Sequence, residues 1–312
     1  MNSDKKVITG RFAPSPTGRL HTGSLVAAVG SWLLARASSG RWLLRMDDLD
    51  TPRLVAGMAD DILRTLEAFG LTWDGPVSWQ SSHLDDYRQA FAQLQQQGVV
   101  YPCGCSRREI AQVSSAPHPA DDCIPYPGTC REGMKPGVPT RSWRVRVRDE
   151  ELCFDDLRKG TICQNLARQC GDFPLRRGDG GFAYQLAVVV DDHLTGVNQV
   201  VRGDDLLAST PRQIHLMQLL GLPIPAYCHL PLVTGPGGGK LSKRDNLVSH
   251  HLGNLAGREW ELLLSVLRFL GLPPPKEMAG APCGEILRWG ISHFNPAHLP
   301  ASGGELLLEA SS

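Results

Sequence analysis

The chain has 312 residues, 42% of them hydrophobic and 21% charged, enough for one large domain or two ordinary ones. Its 32 Lys and Arg balance 32 Asp and Glu, which argues against disorder and against a protein that grips nucleic acid by bulk charge. No apolar leader follows MNSDKK and no long apolar span occurs, so a soluble, unexported, cytoplasmic protein with no membrane partner is expected.

The N-terminal segment VITGRFA reads as a short buried strand. A stiff loop holding Pro14 and Pro16 follows, then an apolar helix over SLVAAVGSWLLARASSG ended by Gly40. RWLLRMDDLD is a second strand with carboxylates at its C-terminal end, and MADDILRTLEAFGL has helical spacing that stops near Gly70. Strand, helix, strand, helix begins a parallel α/β sheet, whose ligands bind beyond the carboxyl ends of the strands. YRQAFAQLQQQGVV is a further helix.

Residues 101–142 then turn rich in Cys, Pro, Gly and Arg and lose periodicity, which suggests an inserted module. RSWRVRVR, read as a strand, puts Arg144, Arg146 and Arg148 on one face as a local basic patch. The α/β pattern resumes at GFAYQLAVVVDDHLTGVNQVVRGDDLL, where AVVV reads as a fully buried strand. STPRQIHLMQLLGL is a helix with Ser209 or Thr210 as N-cap and Pro211 in its first turn. HLPLVTGPGGGKLSKRDN is a strand entering a glycine-rich loop, and two helical segments, REWELLLSVLRFLGL and GEILRWGISHF, close the chain.

Two motifs carry chemistry. In HTGSL, His21 precedes a helix whose free N–H groups at Gly23 and Ser24 favour an anion. In GGGKLSKR, Lys240 and Lys243 sit on a loop able to close over a polyphosphate. An α/β sheet opening with the first and closing with the second resembles the class I aminoacyl-tRNA synthetases. RFAPSPTGRLHTGSL, RMDDLDTPR, VVVDDHLTGVNQVVRGDDLL and HLPLV…GGGKLSKR narrow the resemblance to the glutamyl branch. The short tail after Arg244, with Ser24 where the class has His, is similar to the glutamyl-Q paralogues.

That resemblance implies a Rossmann-like α/β parallel sheet with an inserted zinc module, a short C-terminal helical subdomain and no anticodon-binding domain. The divisions expected are 1–100 and 171–255 for the two halves of the catalytic domain, 101–170 for the insert and 256–312 for the tail. It implies tRNA-independent activation of L-glutamate by ATP with magnesium, and transfer to the queuosine of tRNA(Asp) by a monomer. A truncated glutamyl-tRNA synthetase charging the 3′ end of tRNA(Glu) is the alternative. A non-catalytic relative is disfavoured by the retained motif residues.

The implied roles follow by position. His21, Lys240 and Lys243 stabilise the reacting phosphoryl oxygens. His21, Gly23, Ser24 and Lys243 bind ATP. Arg11, Phe12, Ala13, Pro14, Ser15, Asp47, Tyr184 and Arg202 bind glutamate, the arginines because they suit carboxylates. Asp47 stands where the family has Glu, one methylene short. An ion pair to Asp204 or Asp205 is the plainer reading of Arg202.

The nine cysteines are odd in number, which argues against a disulfide framework and for a reducing compartment. Four crowd into residues 103–130. Cys103, Cys105, Tyr126 and Cys130 match the glutamyl-Q family's single structural zinc site, while thiolate chemistry favours Cys123 over Tyr126 as a ligand. Cys153, Cys163, Cys170, Cys228 and Cys283 read as core or incidental residues.

Overall fold

The computed structural model describes residues 7–106, 108–110, 125–235, 252, 255 and 257–306. Its elements are β1 (Thr9–Phe12), α1 (Thr22–Ala37), β2 (Arg41–Met46), α2 (Met58–Ala68), β3 (Ser78–Trp79) and α3 (Leu84–Gln96). Then come β4 (Val100–Cys103), β5 (Ser142–Val145), β6 (Glu151–Asp156), β7 (Gly160–Asn165) and β8 (Phe173–Arg177). The chain continues with α4 (Tyr184–Leu194), β9 (Gln199–Gly203), α5 (Thr210–Leu220), β10 (Ala226–Leu230), α6 (Glu259–Phe269) and α7 (Cys283–His293).

Strands β1, β2 and β3 form a parallel sheet in that order. A second sheet runs β7-β6-β10-β9, with β10 parallel to both its neighbours and β6–β7 an antiparallel hairpin. Asn198 joins the two: its N–H donates to Thr9 O (3.0 Å), and Thr9 N–H donates to its Oδ1 (2.8 Å). This sets β1 beside β9, so their carboxyl ends open on one side. The third sheet, β4-β5-β8, is antiparallel.

The largest core gathers the apolar faces of α1, α2, α6 and α7 against β1 and β2, with Trp42, Leu44 and Met46 almost wholly buried. α1 runs so close to β10 that a Cβ on Gly30 would come within 2.5 Å of Leu230. Only glycine permits that approach. A second core joins α3, α4 and α5 to β5 and β8.

The structure corrects two expectations here. AVVV is not a strand: it lies in α4, where Leu186–Asp192 are all buried. Neighbours on every side erased the helical period, and tertiary packing overrode the strand preference of three valines. Cys153 and Cys163 are not incidental either. They face each other across β6–β7 and are joined by a disulfide. Alternate residues of an antiparallel pair meet side by side, which linear spacing alone did not single out.

Candidate active site

The loop after β1 is stitched to the ends of β2 and the turn beyond it. Asp47 N–H donates to Pro14 O (2.9 Å) and Val55 N–H to Pro16 O (3.1 Å). Pro14 is buried, Ala13 half-buried and Ser15 exposed. The Phe12 ring turns into the core and stacks on Trp42. His21 caps α1, its Nδ1 accepting from Ser24 N–H at 3.2 Å. A Cβ on Gly23 would lie 3.1 Å from the His21 ring, so glycine there lets the imidazole fold over the helix end. The Ser24 N–H expected to be free is thus taken by His21, while no acidic residue of the first turn offsets the helix dipole.

Behind this loop lies a buried charge cluster. Arg11 donates from Nε to both oxygens of Asp192 (3.1 and 3.2 Å). Arg45 donates to Asp192 from Nη1 (2.7 Å) and to Asp47 from Nε (2.7 Å). Asp191, one residue back along α4, accepts from Gln80 Nε2 (2.7 Å) and Tyr87 Oη (2.7 Å) and meets His83 Nδ1 at 2.7 Å. Burial opposes ionisation of Asp192, but Arg11 and Arg45 outweigh it and hold the carboxyl below its ordinary range. At Asp47 burial wins over Arg45, and the carboxyl is pushed up. Asp47, expected among the glutamate-binding residues, is thus already engaged by Arg45.

Arg202, on β9, is differently held. It makes no ion pair with Asp204 or Asp205 among the described residues; Asp204 instead takes Arg158 (3.0 Å) and Lys159 (2.8 Å). Arg202 Nε donates to His229 Nε2 (3.2 Å) and Nη2 to Thr210 Oγ1 (2.7 Å). Its Nη1 is buried without a hydrogen-bond partner among the described residues. Burial lowers its pKa, and the titratable groups that bear on it are Tyr184, Arg11, Tyr227 and Asp192. Tyr184, at the start of α4, is 39% exposed. Arg11 and Arg202 are thus two buried guanidinium groups within electrostatic reach of each other, with the accessible Tyr184 phenol near Arg202, residue types that suit carboxylates.

The chain matches the family model of the class I tRNA synthetases (E and Q), catalytic domain, over residues 6–280. It is 58% identical over 296 residues to the glutamyl-Q tRNA(Asp) synthetase of Geobacter sulfurreducens, covering 95% of this chain and 94% of that protein. The enzyme of that name from Dechloromonas aromatica is 52% identical, covering 91% and 93%. The chain belongs to the glutamyl-Q tRNA(Asp) synthetase family. A glutamate tRNA ligase from Elizabethkingia meningosepticum, solved with its amino acid, superposes with a TM-score of 0.80 at 25% identity, over 97% of this chain and 68% of that one.

The Rossmann-like sheet expected of a glutamyl-Q tRNA(Asp) synthetase is present. Of the residues expected to bind glutamate, Arg11 and Asp47 are joined through Asp192 and Arg45, and Arg202 lies within electrostatic reach of Arg11 and Tyr184. Lys240, Lys243 and Cys123 lie outside the described residues. Sequence reasoning missed Arg45, Asp192, Thr210 and His229. Their only sequence signal was position: Arg45 shares the DDLD strand, Asp192 follows the apolar run, and His229 opens HLPLV.

The cysteine-rich segment builds a separate cluster that could hold a metal. Cys105 Sγ is 3.6 Å from Cys130 Sγ, and the Tyr126 hydroxyl lies 3.4 Å from Cys103 Sγ and 3.8 Å from Cys105 Sγ. A tetrahedral thiolate site with metal–sulfur bonds near 2.3 Å has sulfur–sulfur edges of about 3.8 Å, so these four groups fit. Hydrogen bonds from Tyr126, the Cys105 backbone and Arg144 outweigh burial and bring the Cys103 thiol down to about 7. Arg144 lies 3.9 Å over the Tyr126 ring and Arg146 4.8 Å over that of Tyr101. The expected basic face is therefore corrected: Arg144 is buried in the module and Arg146 half-buried, and only Arg148 is fully exposed. β5 ends at Val145, so Arg146 and Arg148 lie beyond it and the alternation on which that face depended does not reach them.

Proposed function

We propose that this chain activates L-glutamate with ATP in the absence of tRNA and transfers it to the queuosine base at the wobble position of tRNA(Asp). The observation that carries the reading is the buried Arg202 Nη1, which has no hydrogen-bond partner among the described residues and lies within electrostatic reach of Arg11 and Tyr184. A buried cation is costly unless a ligand anion answers it, and glutamate supplies two carboxylates. The family membership supports the acceptor.

An oxygen of the glutamate α-carboxylate attacks the α-phosphorus of ATP. The bond to the bridging oxygen breaks and pyrophosphate departs; magnesium bound with the nucleotide would help neutralise the phosphate charge. The protein's part is positioning and charge stabilisation. The pocket arginines hold carboxylate, and Tyr184 closes its mouth. His21, Gly23 and Ser24 at the start of α1 receive the nucleotide phosphates, with Lys240 and Lys243 completing the neutralisation. A hydroxyl of the queuosine base then attacks the mixed anhydride, and AMP leaves. Cys103, Cys105, Tyr126 and Cys130 would hold one structural zinc, which supplies the module with a covalent cross-link between β4 and the segment before β5.

Two measurements test the reading. Glutamate-dependent ATP–pyrophosphate exchange should proceed without RNA. Labelled glutamate should enter tRNA(Asp) that carries queuosine and not tRNA(Asp) that lacks it. Glutamate found instead on the terminal ribose of tRNA(Glu) would replace this reading with that of a truncated glutamyl-tRNA synthetase.

A further inference from the structure

Arg202 and His229 are register partners on the parallel strands β9 and β10, so their side chains rise from the same face of the sheet. On the far side of β10, Asp156 at the end of β6 accepts from His229 N–H (2.9 Å) and lies 2.7 Å from His229 Nδ1. A carboxylate can only accept there, so Nδ1 carries the proton and Nε2 keeps its lone pair. That lone pair faces Arg202 Nε–H at 3.2 Å. Thr210 Oγ1 accepts from Arg202 Nη2 (2.7 Å) and lies 3.0 Å from His229 Nε2, whose single lone pair the Thr210 hydroxyl shares with Arg202 Nε–H. Every group in the chain is buried: Asp156, Arg202, Thr210 and His229 are all at most 5% exposed.

The contrast with the neighbouring cluster is chemical. Arg11 and Arg45 share Asp192, and Arg45 also takes Asp47, so much of their charge is answered within the protein. Arg202 is fixed at two nitrogens by neutral acceptors. Its orientation is determined, its charge is undiminished, and Nη1 alone is left over. Neutral fixation of this kind serves a site that must bind an anion and reject its uncharged isostere.

We propose that Asp156, His229 and Thr210 form a positioning relay that presents Arg202 Nη1 to a carboxylate of the amino-acid substrate and so sets its selectivity for glutamate over glutamine. The inference rests on the glutamate-activating reading above. None of the three touches substrate; each acts through Arg202.

The test has a spectroscopic arm and a kinetic arm on the full chain. In nitrogen-15 imidazole spectra, His229, assigned by its loss in His229→Gln, should be a neutral Nδ1–H tautomer. An Nε2–H tautomer or an imidazolium at pH 7.5 overturns the relay. In ATP–pyrophosphate exchange, Thr210→Val and His229→Leu should raise the KM for glutamate by about tenfold or more, lower the glutamate-over-glutamine ratio, and leave the KM for ATP within about twofold. His229→Gln returns an acceptor to the Nε2 position and should recover most of the loss. Folded Thr210→Val and His229→Leu proteins with unchanged glutamate KM refute the proposal. Loss of folding in His229→Leu leaves Thr210→Val and the tautomer to decide. Absence of glutamate exchange in the unmodified protein would remove the glutamate-activating reading, and the tautomer would still decide the relay.

Discussion

Asp192 and Asp47 are both buried aspartates bonded to Arg45, yet their removal should have very different consequences. Asp192→Asn takes from Arg11 its only carboxylate partner among the described residues and weakens the 2.7 Å contact to Arg45. A guanidinium only 5% exposed is then left unanswered. Breaking a buried pair at one end costs about 3–5 kcal/mol, and the retained amide oxygen places this variant near the lower end. For a chain of this size roughly 3 kcal/mol lowers the melting temperature by about 6 °C. Asp47→Asn removes a carboxyl that burial already disfavours as an anion, while Arg45 keeps Asp192 at 2.7 Å and Asp191 at 3.6 Å. Its loss should stay below about 1 kcal/mol. Thermal and urea unfolding of the ligand-free protein at pH 7 measures both. Equal losses, or a larger one at Asp47, would refute the assignment of Asp192 as the counter-ion of the site. The pH dependence carries opposite signs. Asp192, with its carboxyl held low, contributes stability that is complete above the unfolded value near 3.9 and is lost as the pH falls below it. Asp47, held high, is unfavourable once ionised, and that penalty is relieved as it takes up its proton.

Other outcomes follow from the same structure. Metal analysis of protein purified without chelator should find about one zinc per chain, and Cys130→Ala should lose most of it, together with the protease resistance of the small core around Tyr101, Cys103 and Tyr126. Lys243→Ala should abolish glutamate-dependent exchange; unaltered exchange would remove Lys243 from the catalytic set. Burial depresses the pKa of both His215 and His229. Both are neutral when folded and take a proton more readily when unfolded, so stability should fall as the pH drops below about 6.5, the unfolded value. Double substitution Cys153→Ser with Cys163→Ser should leave the glutamate KM unchanged and raise the susceptibility of the 151–165 hairpin to proteolysis, which peptide mapping reads directly.

The sequence by itself determined the order of strands and helices around the proline loop, the helix start at His21, and the residue types a dicarboxylate and a phosphate require. These features are local. A proline stiffens its own loop, an N-terminus exposes its own N–H groups, and a motif keeps its spacing whatever packs on it. The grouping of Cys103, Cys105 and Cys130 was also legible, because they lie close along the chain; Tyr126 entered through the family resemblance. Tertiary structure decided the rest. Three valines became helix because α4 is enclosed on every side. Asp192 became the partner of Arg11 across 181 residues, and Asp156 that of His229 across 73. A chain position says which charges exist. Only folding removes the water between them, and in that low dielectric the choice of partner separates a structural arginine such as Arg45 from an unanswered one such as Arg202.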